Sequence, residues 1–109
     1  MSFDNYNLMS SNEYISWDFI MSNLNKPWNW KELSRNKIVN FRIIQENSFL
    51  RWDWKSVSEN PNITLDIIIN NLDCKWDFPT LKRILSIEEY NNLSRLHIKY
   101  IFEKDEDEE

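Results

Sequence analysis

The sequence contains no glycine and no alanine, and it has only one cysteine and one histidine. Without glycine it cannot form a glycine-rich phosphate loop or a dinucleotide-binding fingerprint. The single cysteine excludes an intrachain disulfide, and Cys and His together are too few for a zinc site within one chain. Where a helix end needs a left-handed residue, asparagine is expected to take the place of glycine. Asparagine is abundant, with 15 residues.

Long apolar runs and a uniform excess of one charge are also missing. No stretch approaches the ~20 apolar residues of a membrane-spanning helix, and the first six residues lack the features of a signal peptide. A soluble, cytoplasmic protein without a membrane partner is therefore expected. The net charge of −5 comes from residues 103–109, which hold six acids and Lys104, so residues 1–102 are neutral. A neutral body disfavours nucleic acid as a partner.

Aromatic residues are plentiful, and they recur with a period of 24 residues. Two columns of this repeat hold large aromatic side chains: Trp28, Trp52 and Trp76, and, two residues later, Trp30, Trp54 and Phe78. A third column is isoleucine throughout: Ile20, Ile44 and Ile68. Columns that keep their chemical type over three units indicate a tandem repeat, and we predict that these nine residues form the structural core.

Each unit contains two helix starts. Good N-cap residues recur at both of them: Ser16, Asn40 and Thr64 for the first helix, and Asn29, Asp53 and Asp77 for the second. An apolar residue precedes each cap and another lies at the fourth helical position, as in a hydrophobic staple. The spacing predicts helices of about seven to nine residues, which end near Asn23, Asn47 and Asn71. Helices this short are unstable alone, so the units are expected to stack.

The predicted fold is all-α: a small α-solenoid of helix-pair repeats, closed by a longer C-terminal helix. The repeat domain spans residues 1–102, with a half-unit at 1–14, units at 15–38, 39–62 and 63–85, and the capping helix at 86–102. Ser86-Ile87-Glu88-Glu89 has the pattern of a capping box, which would open that last helix. The acidic residues 103–109 are predicted to form a disordered, solvated tail.

Over about residues 4–85, the repeat resembles the Trp-rich short tandem repeats of giant DNA viruses such as mimiviruses. Four segments carry the resemblance: 26–30 (KPWNW), 51–54 (RWDW), 58–64 (SENPNIT) and 75–78 (KWDF). The third unit departs from the pattern, because Phe78 replaces the second tryptophan and Lys82 stands in the column of Ser34 and Ser58. The resemblance implies a viral protein that acts in the host cytoplasm or in the virion. It implies no defined activity.

The sequence contains no residue pattern that is typical of a catalytic, cofactor or metal site. His97 lies in a predicted amphipathic helix, where a packing role is expected. Cys74 lies in a loop, and no base is predicted near it that would activate a thiol. The sequence therefore predicts that the protein is not an enzyme and holds no cofactor.

A binding face is expected from columns whose chemistry varies between units, because such positions are released from packing. The candidate residues on this face share a charged or aromatic side chain: Trp17, Lys31, Lys55, Arg35, Glu59 and Arg83. Among the tryptophans, Trp17 and Trp30 are the ones that we expect to be most available to a ligand.

Three functions are compatible with these features. The leading hypothesis is a non-catalytic protein-binding or scaffold module with a host or viral protein as its partner. The alternative is a virion or self-assembling structural component, a homo-oligomer, since Tyr6 and Met9 of the half-unit are expected to be exposed. Nucleic-acid binding is the second alternative, and the neutral body disfavours it.

Overall fold

The computed structural model describes residues 5–107, and this part of the chain is all-helical without a strand, which confirms the predicted all-α class. Residues 1–4 of the predicted half-unit and residues 108–109 of the predicted tail lie outside the described residues. The helices in the described range are α1 (Tyr6–Met9), α2 (Trp17–Met21), α3 (Trp30–Arg35), α4 (Phe41–Glu46), α5 (Trp54–Glu59), α6 (Leu65–Ile69), α7 (Phe78–Ile84) and α8 (Ile87–Asp107).

Side-chain caps fix the start of every short helix. In each case the capping oxygen accepts a hydrogen bond from the backbone N–H three residues further on, which satisfies one of the free donors of the first turn. The caps are Asn5, Ser16, Asn29, Asn40, Asp53, Thr64 and Asp77. At α8 the capping box is complete, because Ser86 and Glu89 exchange hydrogen bonds of 2.9 and 3.1 Å. The Ser86 backbone N–H lowers the pKa of Glu89.

The helix ends differ from the expectation for a chain without glycine. No described residue has a positive φ angle, so the predicted left-handed asparagines are wrong. Asn23, Asn47 and Asn71 instead donate their side-chain Nδ2 to the carbonyl four residues earlier, over 2.7–2.8 Å. Because the asparagine side chain satisfies a free carbonyl of the last turn, no left-handed residue is needed at the end of the helix. The helices α1–α7 have four to seven residues, and most are therefore shorter than predicted.

The first aromatic column is buried and hydrogen-bonded. Trp28, Trp52 and Trp76 are 6%, 9% and 8% exposed, and each indole Nε1 donates to the carbonyl of the asparagine that ends the preceding helix, over 2.7–2.9 Å. The isoleucine column is also buried, with 0–2% of each side chain exposed. A buried indole whose N–H donates a hydrogen bond can serve as a core residue, because no buried donor is left without an acceptor.

The second aromatic column connects neighbouring units. Trp30 meets Trp52, and Trp54 meets Trp76, edge to face at 5.3 Å and 88° in both cases. In the third unit Phe78 meets the ring of His97 of α8 in a similar way, at 4.3 Å and 67°. The half-buried His97 therefore packs on Phe78 as a tryptophan of a following unit would.

A row of buried polar residues joins α3, α5 and α7, which lie side by side. Its members are Ser10, Ser34, Ser58, Asn36 and Asn60, which we call the serine–asparagine seam. Each serine hydroxyl accepts the N–H of the next unit's helix cap over 2.9 Å. The two asparagines donate to carbonyls 21 to 26 residues earlier in the chain. The seam thus satisfies backbone groups that stacking would otherwise leave buried without partners.

The seam stops at the third unit, where Lys82 and Ile84 replace the serine and the asparagine. There α8 packs on α6 and α7, with Leu93 fully buried. Helices α2 and α4 contact the following unit through aromatic stacking, Trp17 on Trp52 at 5.7 Å and Phe41 on Trp76 at 5.8 Å. The molecule measures 57 × 33 × 18 Å, and its smallest dimension corresponds to two layers of helices.

The predicted boundary of a disordered tail at residue 103 is wrong for residues 103–107, because α8 continues to Asp107. Glutamate and lysine are good helix formers, and extending an existing helix avoids the cost of a new nucleus. Lys99 and Glu103 also form an i,i+4 ion pair at 3.9 Å on the surface of this helix. None of the helices within residues 5–107 combines the length and apolar character that crossing a bilayer requires.

The expectation that Tyr6 is exposed at the first half-unit is also wrong. Tyr6 is 8% exposed and meets Trp28 edge to face at 4.9 Å, and Met9 is half-buried against the same cluster. The aromatic periodicity accounts for this, because Tyr6 stands in the column of Trp30 and meets Trp28 as Trp30 meets Trp52.

Candidate functional site

Three of the residues proposed as a binding face contact one another. Arg35, Glu59 and Arg83 stand 24 residues apart, and Glu59 lies between the two guanidinium groups at 3.8 and 3.6 Å. Arg35 also pairs with Glu32 at 2.5 Å, which lowers the pKa of Glu32 and raises that of Arg35. The structure thus brings these three predicted residues together, and it shows that their side chains pair with one another. The variation is an alternation of charge that pairs neighbouring units.

This charged row should contribute to stability. Glu59→Lys would place three cations in line, and we expect it to lower the free energy of unfolding by about 1 kcal/mol, since both ion pairs are replaced by repulsion. Urea denaturation followed by circular dichroism measures the change. Glu46→Lys is the matched control, because it breaks the single exposed pair with Arg42, at 2.7 Å. If both variants lost the same free energy of unfolding, and if this loss did not depend on salt, the charged row would not stabilise the fold.

The other proposed residues do not form one surface. Lys31 and Lys55 are exposed, and Lys55 lines a shallow depression of about 370 Å³ together with Asp77 and Arg83. Trp17 is half-buried and stacks on Trp52, so it packs on the aromatic core instead. The structure therefore brings Lys55 and Arg83 together and leaves Trp17 apart from them.

A concave feature recurs at two successive junctions between units. The first cavity, of about 470 Å³, contains Leu24, Trp28, Trp30 and Leu50 in its wall. The second cavity, of about 320 Å³, has residues of the same four columns in its wall: Ser48, Trp52, Trp54 and Cys74. Phe41 and Ile44 add to its apolar lining. We call the two together the junction groove, and both volumes are within the usual range for ligand sites.

The first cavity also carries positive charge and an exposed aromatic ring. Lys26 and Arg51 line it, both are exposed, and neither forms an ion pair within the part of the chain that the structure describes. Phe49, at the same rim, is 74% exposed. The loops 24–27, 48–51 and 72–75, which border the groove, hold three cations and one acid, Asp73. An anionic group is thus favoured at the rim, and an apolar group inside.

Cys74 forms part of the apolar wall of the second cavity. Its partial burial raises the pKa of the thiol, and the nearby Asp73 carboxylate raises it further. Both effects keep the sulfur protonated, and a protonated thiol is a poor nucleophile. Among residues 5–105, moreover, no three His, Cys, Asp or Glu side chains come together in a group that could hold a metal ion.

Sequence reasoning missed the groove because the tryptophans in its walls are all predicted core residues: Trp28, Trp30, Trp52 and Trp54. The signal was present in the loops, where Leu24, Phe49 and Leu50 are apolar although loops between short helices are usually polar. Periodicity places a tryptophan near the core but does not show whether neighbouring loops cover it completely.

No family model, no curated protein and no solved structure matches this chain. The interpretation of the junction groove therefore depends on the residues that form it.

Proposed function

We propose that this chain is a short α-solenoid that acts as a non-catalytic protein-binding module, with the junction groove as its binding site. The observation that carries the proposal is the presence of a cavity at each of two successive junctions, with four columns of the repeat common to the two linings. A repeat that presents equivalent concave sites in series suits an extended partner, which repeat proteins commonly bind along one face.

The groove has the chemistry of a protein-binding site. Its floor is aromatic, and tryptophan is among the residues that contribute most to protein interfaces. An apolar side chain that enters a cavity gains roughly 25 cal/mol for each Å² removed from water. The groove rim supplies Lys26 and Arg51 for polar contacts that orient the partner.

The spacing of the cavities limits the form of the partner. Packed helices lie about 8–10 Å apart, so the two cavities are expected to be separated by about that distance. A polyproline II segment, which has three residues per turn, covers it in roughly three residues, and a helix covers it in roughly seven. The partner should therefore present two apolar side chains at one of these spacings.

We further propose that the partner is a viral or host protein and that the module acts in an infected host's cytoplasm or in the virion. The support is the Trp-rich 24-residue repeat, which resembles those of giant DNA viruses.

Selection from a displayed peptide library against the full chain tests the binding site. We expect the selected peptides to carry paired apolar residues, and their binding should shift the indole N–H signals of Trp30 and Trp54 in a two-dimensional NMR spectrum. Phe49→Asp should weaken their binding by about tenfold or more, since it removes an aromatic contact and places a carboxylate that competes with the partner for Lys26 and Arg51. The exposed position of Phe49 keeps this variant folded.

Lys55→Glu is the matched control, because Lys55 is exposed and lies outside both cavities. We expect it to leave affinity unchanged. If peptides lost affinity in Lys55→Glu and kept it in Phe49→Asp, the site would lie on the depression beside Arg83 instead. A library that yields no binder at all would also contradict the proposed function.

A further inference from the structure

The second half of α8 has an apolar side that nothing in the described chain covers. Ile98, Ile101 and Phe102 are 52%, 43% and 67% exposed, whereas Leu93, on the side that faces α6 and α7, is fully buried. Their spacing of three and four residues places the three side chains on one side of the helix. Acidic residues follow directly: residues 103–109 hold six acids and one lysine. The end of α8 is thus an apolar surface beside a concentrated negative charge.

The first cavity is complementary to the end of α8 both in its apolar surface and in its charge. It offers the apolar residues Phe49, Leu50 and Trp30, and at its rim Lys26 and Arg51 lack ion-pair partners among the described residues. Opposite charges beside matching apolar surfaces favour association and fix its orientation.

We propose that the protein assembles head to tail, with the end of α8 of one copy in the first cavity of the next. In this contact Ile98, Ile101 and Phe102 cover the apolar wall, and Asp105, seven residues after Ile98 and therefore on the same side of α8, faces the two cations. The inference rests on the proposed function, because it names a second copy of this chain as an occupant of the junction groove.

The position of α8 makes the contact intermolecular. α8 packs on α6 and α7, at the third unit, whereas the first cavity lies between the first and second units. Each copy therefore presents one donor end and one acceptor cavity. Such a contact joins two different surfaces, so it can continue from copy to copy and form an open chain of subunits.

Sedimentation velocity of the full chain over about 5–500 µM tests the assembly. At low salt we expect the average mass to increase with concentration beyond that of a dimer. At high salt we expect a return towards monomer, because the Debye length shortens from about 30 Å at 0.01 M to about 3 Å at 1 M. A monomer at every concentration in low salt would overturn the proposal.

Two complementary variants make the test specific. Lys26→Glu/Arg51→Glu removes the acceptor, and Glu103→Lys/Asp105→Lys removes the donor. Each charge reversal replaces an attraction worth up to about fivefold by a repulsion, so each variant alone should associate at least about fivefold more weakly than the wild type. All four positions are exposed, so both variants should keep the wild-type circular dichroism spectrum.

Mixing the charge variants distinguishes this contact from any other. The acceptor variant retains a wild-type α8 end that fits the wild-type cavity of the donor variant, and the two reversed surfaces are complementary to each other as well. The mixture should therefore assemble at low salt, although neither variant does so alone. If the mixture stays monomeric, or if either variant assembles like the wild type, the head-to-tail contact is wrong. Peptide binding that is lost in Phe49→Asp would then still support the proposed function, so the two failures are separable.

Discussion

Replacing Trp52 with alanine is expected to lower the free energy of unfolding by about 3–5 kcal/mol, the range for removing a large buried aromatic side chain. Trp52 is the middle member of its column and is 9% exposed. It stacks on Trp17, meets Trp30 edge to face, and donates its indole N–H to the Asn47 carbonyl over 2.9 Å. Alanine would lose contacts with helices on both sides of the junction.

The size of this loss follows from the shortness of the helices. α4 and α5 have six residues each, far below the length at which a helix is stable in water. Their stability therefore depends on contacts between units, and Trp52 makes several of them. A total stability of about 5–15 kcal/mol is typical of small domains, so one such substitution should remove a large fraction of it.

Two further substitutions separate the parts of the Trp52 effect. Trp52→Phe keeps an aromatic ring but removes one of the two donors to the Asn47 carbonyl, which keeps the Leu50 N–H over 3.0 Å, and we expect a smaller loss of roughly 1–2 kcal/mol. Phe49→Ala removes an exposed aromatic ring and should stay within about 0.5 kcal/mol of the wild type. Urea denaturation at 25 °C measures all three variants. A loss below ~1 kcal/mol for Trp52→Ala would show that this column does not hold the units together.

The sequence predicted those structural features that depend on a single side chain or on the 24-residue period alone. A cap such as Thr64 depends on its own side chain and on the backbone three residues away, so its type and position are enough. The aromatic columns were visible because packing constrains them in every unit. Residues such as Ile44 and Trp76 could therefore be assigned to the core from spacing alone.

Features that depend on the distance between units could not be predicted. Arg35 and Glu59 appear as unrelated variable positions in the sequence, and only stacking brings their side chains within 3.8 Å. The junction groove is another example, because Leu50 forms a cavity wall only when its loop lies beside Trp28 and Trp30. Both features depend on the separation of neighbouring units, and the repeat period does not specify that separation.

The serine–asparagine seam provides the second large expected effect. Asn60 is 2% exposed, and its Nδ2 lies 2.9–3.1 Å from the carbonyls of Ser34, Asn36 and Val39. Its Oδ1 accepts the Asn62 N–H over 2.8 Å. Asn60→Ala would remove the buried donor to the Ser34 carbonyl, at roughly 1–3 kcal/mol for a buried acceptor left unpaired. The other two carbonyls lose one donor each but keep another, because the Asn36 carbonyl accepts the Val39 N–H over 3.0 Å and the Val39 carbonyl accepts the Asn62 side chain over 2.9 Å. We expect a total loss of about 2–3 kcal/mol.

Asn60→Asp tests the hydrogen bonding itself, because aspartate has nearly the same shape but its carboxylate cannot donate. Facing carbonyl oxygens in a buried site disfavours the charged form, which raises the pKa of the new carboxyl above the unfolded value of about 3.9. Only the protonated form can donate to the seam. The variant should therefore be most stable below about pH 4 relative to wild type, and lose up to about 1.4 kcal/mol for each pH unit as pH rises towards the folded pKa.

Asn62→Asp is the matched control for this pH dependence. Asn62 also donates to the Val39 carbonyl, over 2.9 Å, but its side chain is exposed, so water can hydrate a carboxylate placed there. Denaturation of both variants and the wild type between pH 3 and pH 8 should give a steep additional loss for Asn60→Asp alone. Parallel curves for the two variants would mean that the seam is open to water. In that case the stacking of the units would depend on the aromatic columns without support from buried polar contacts.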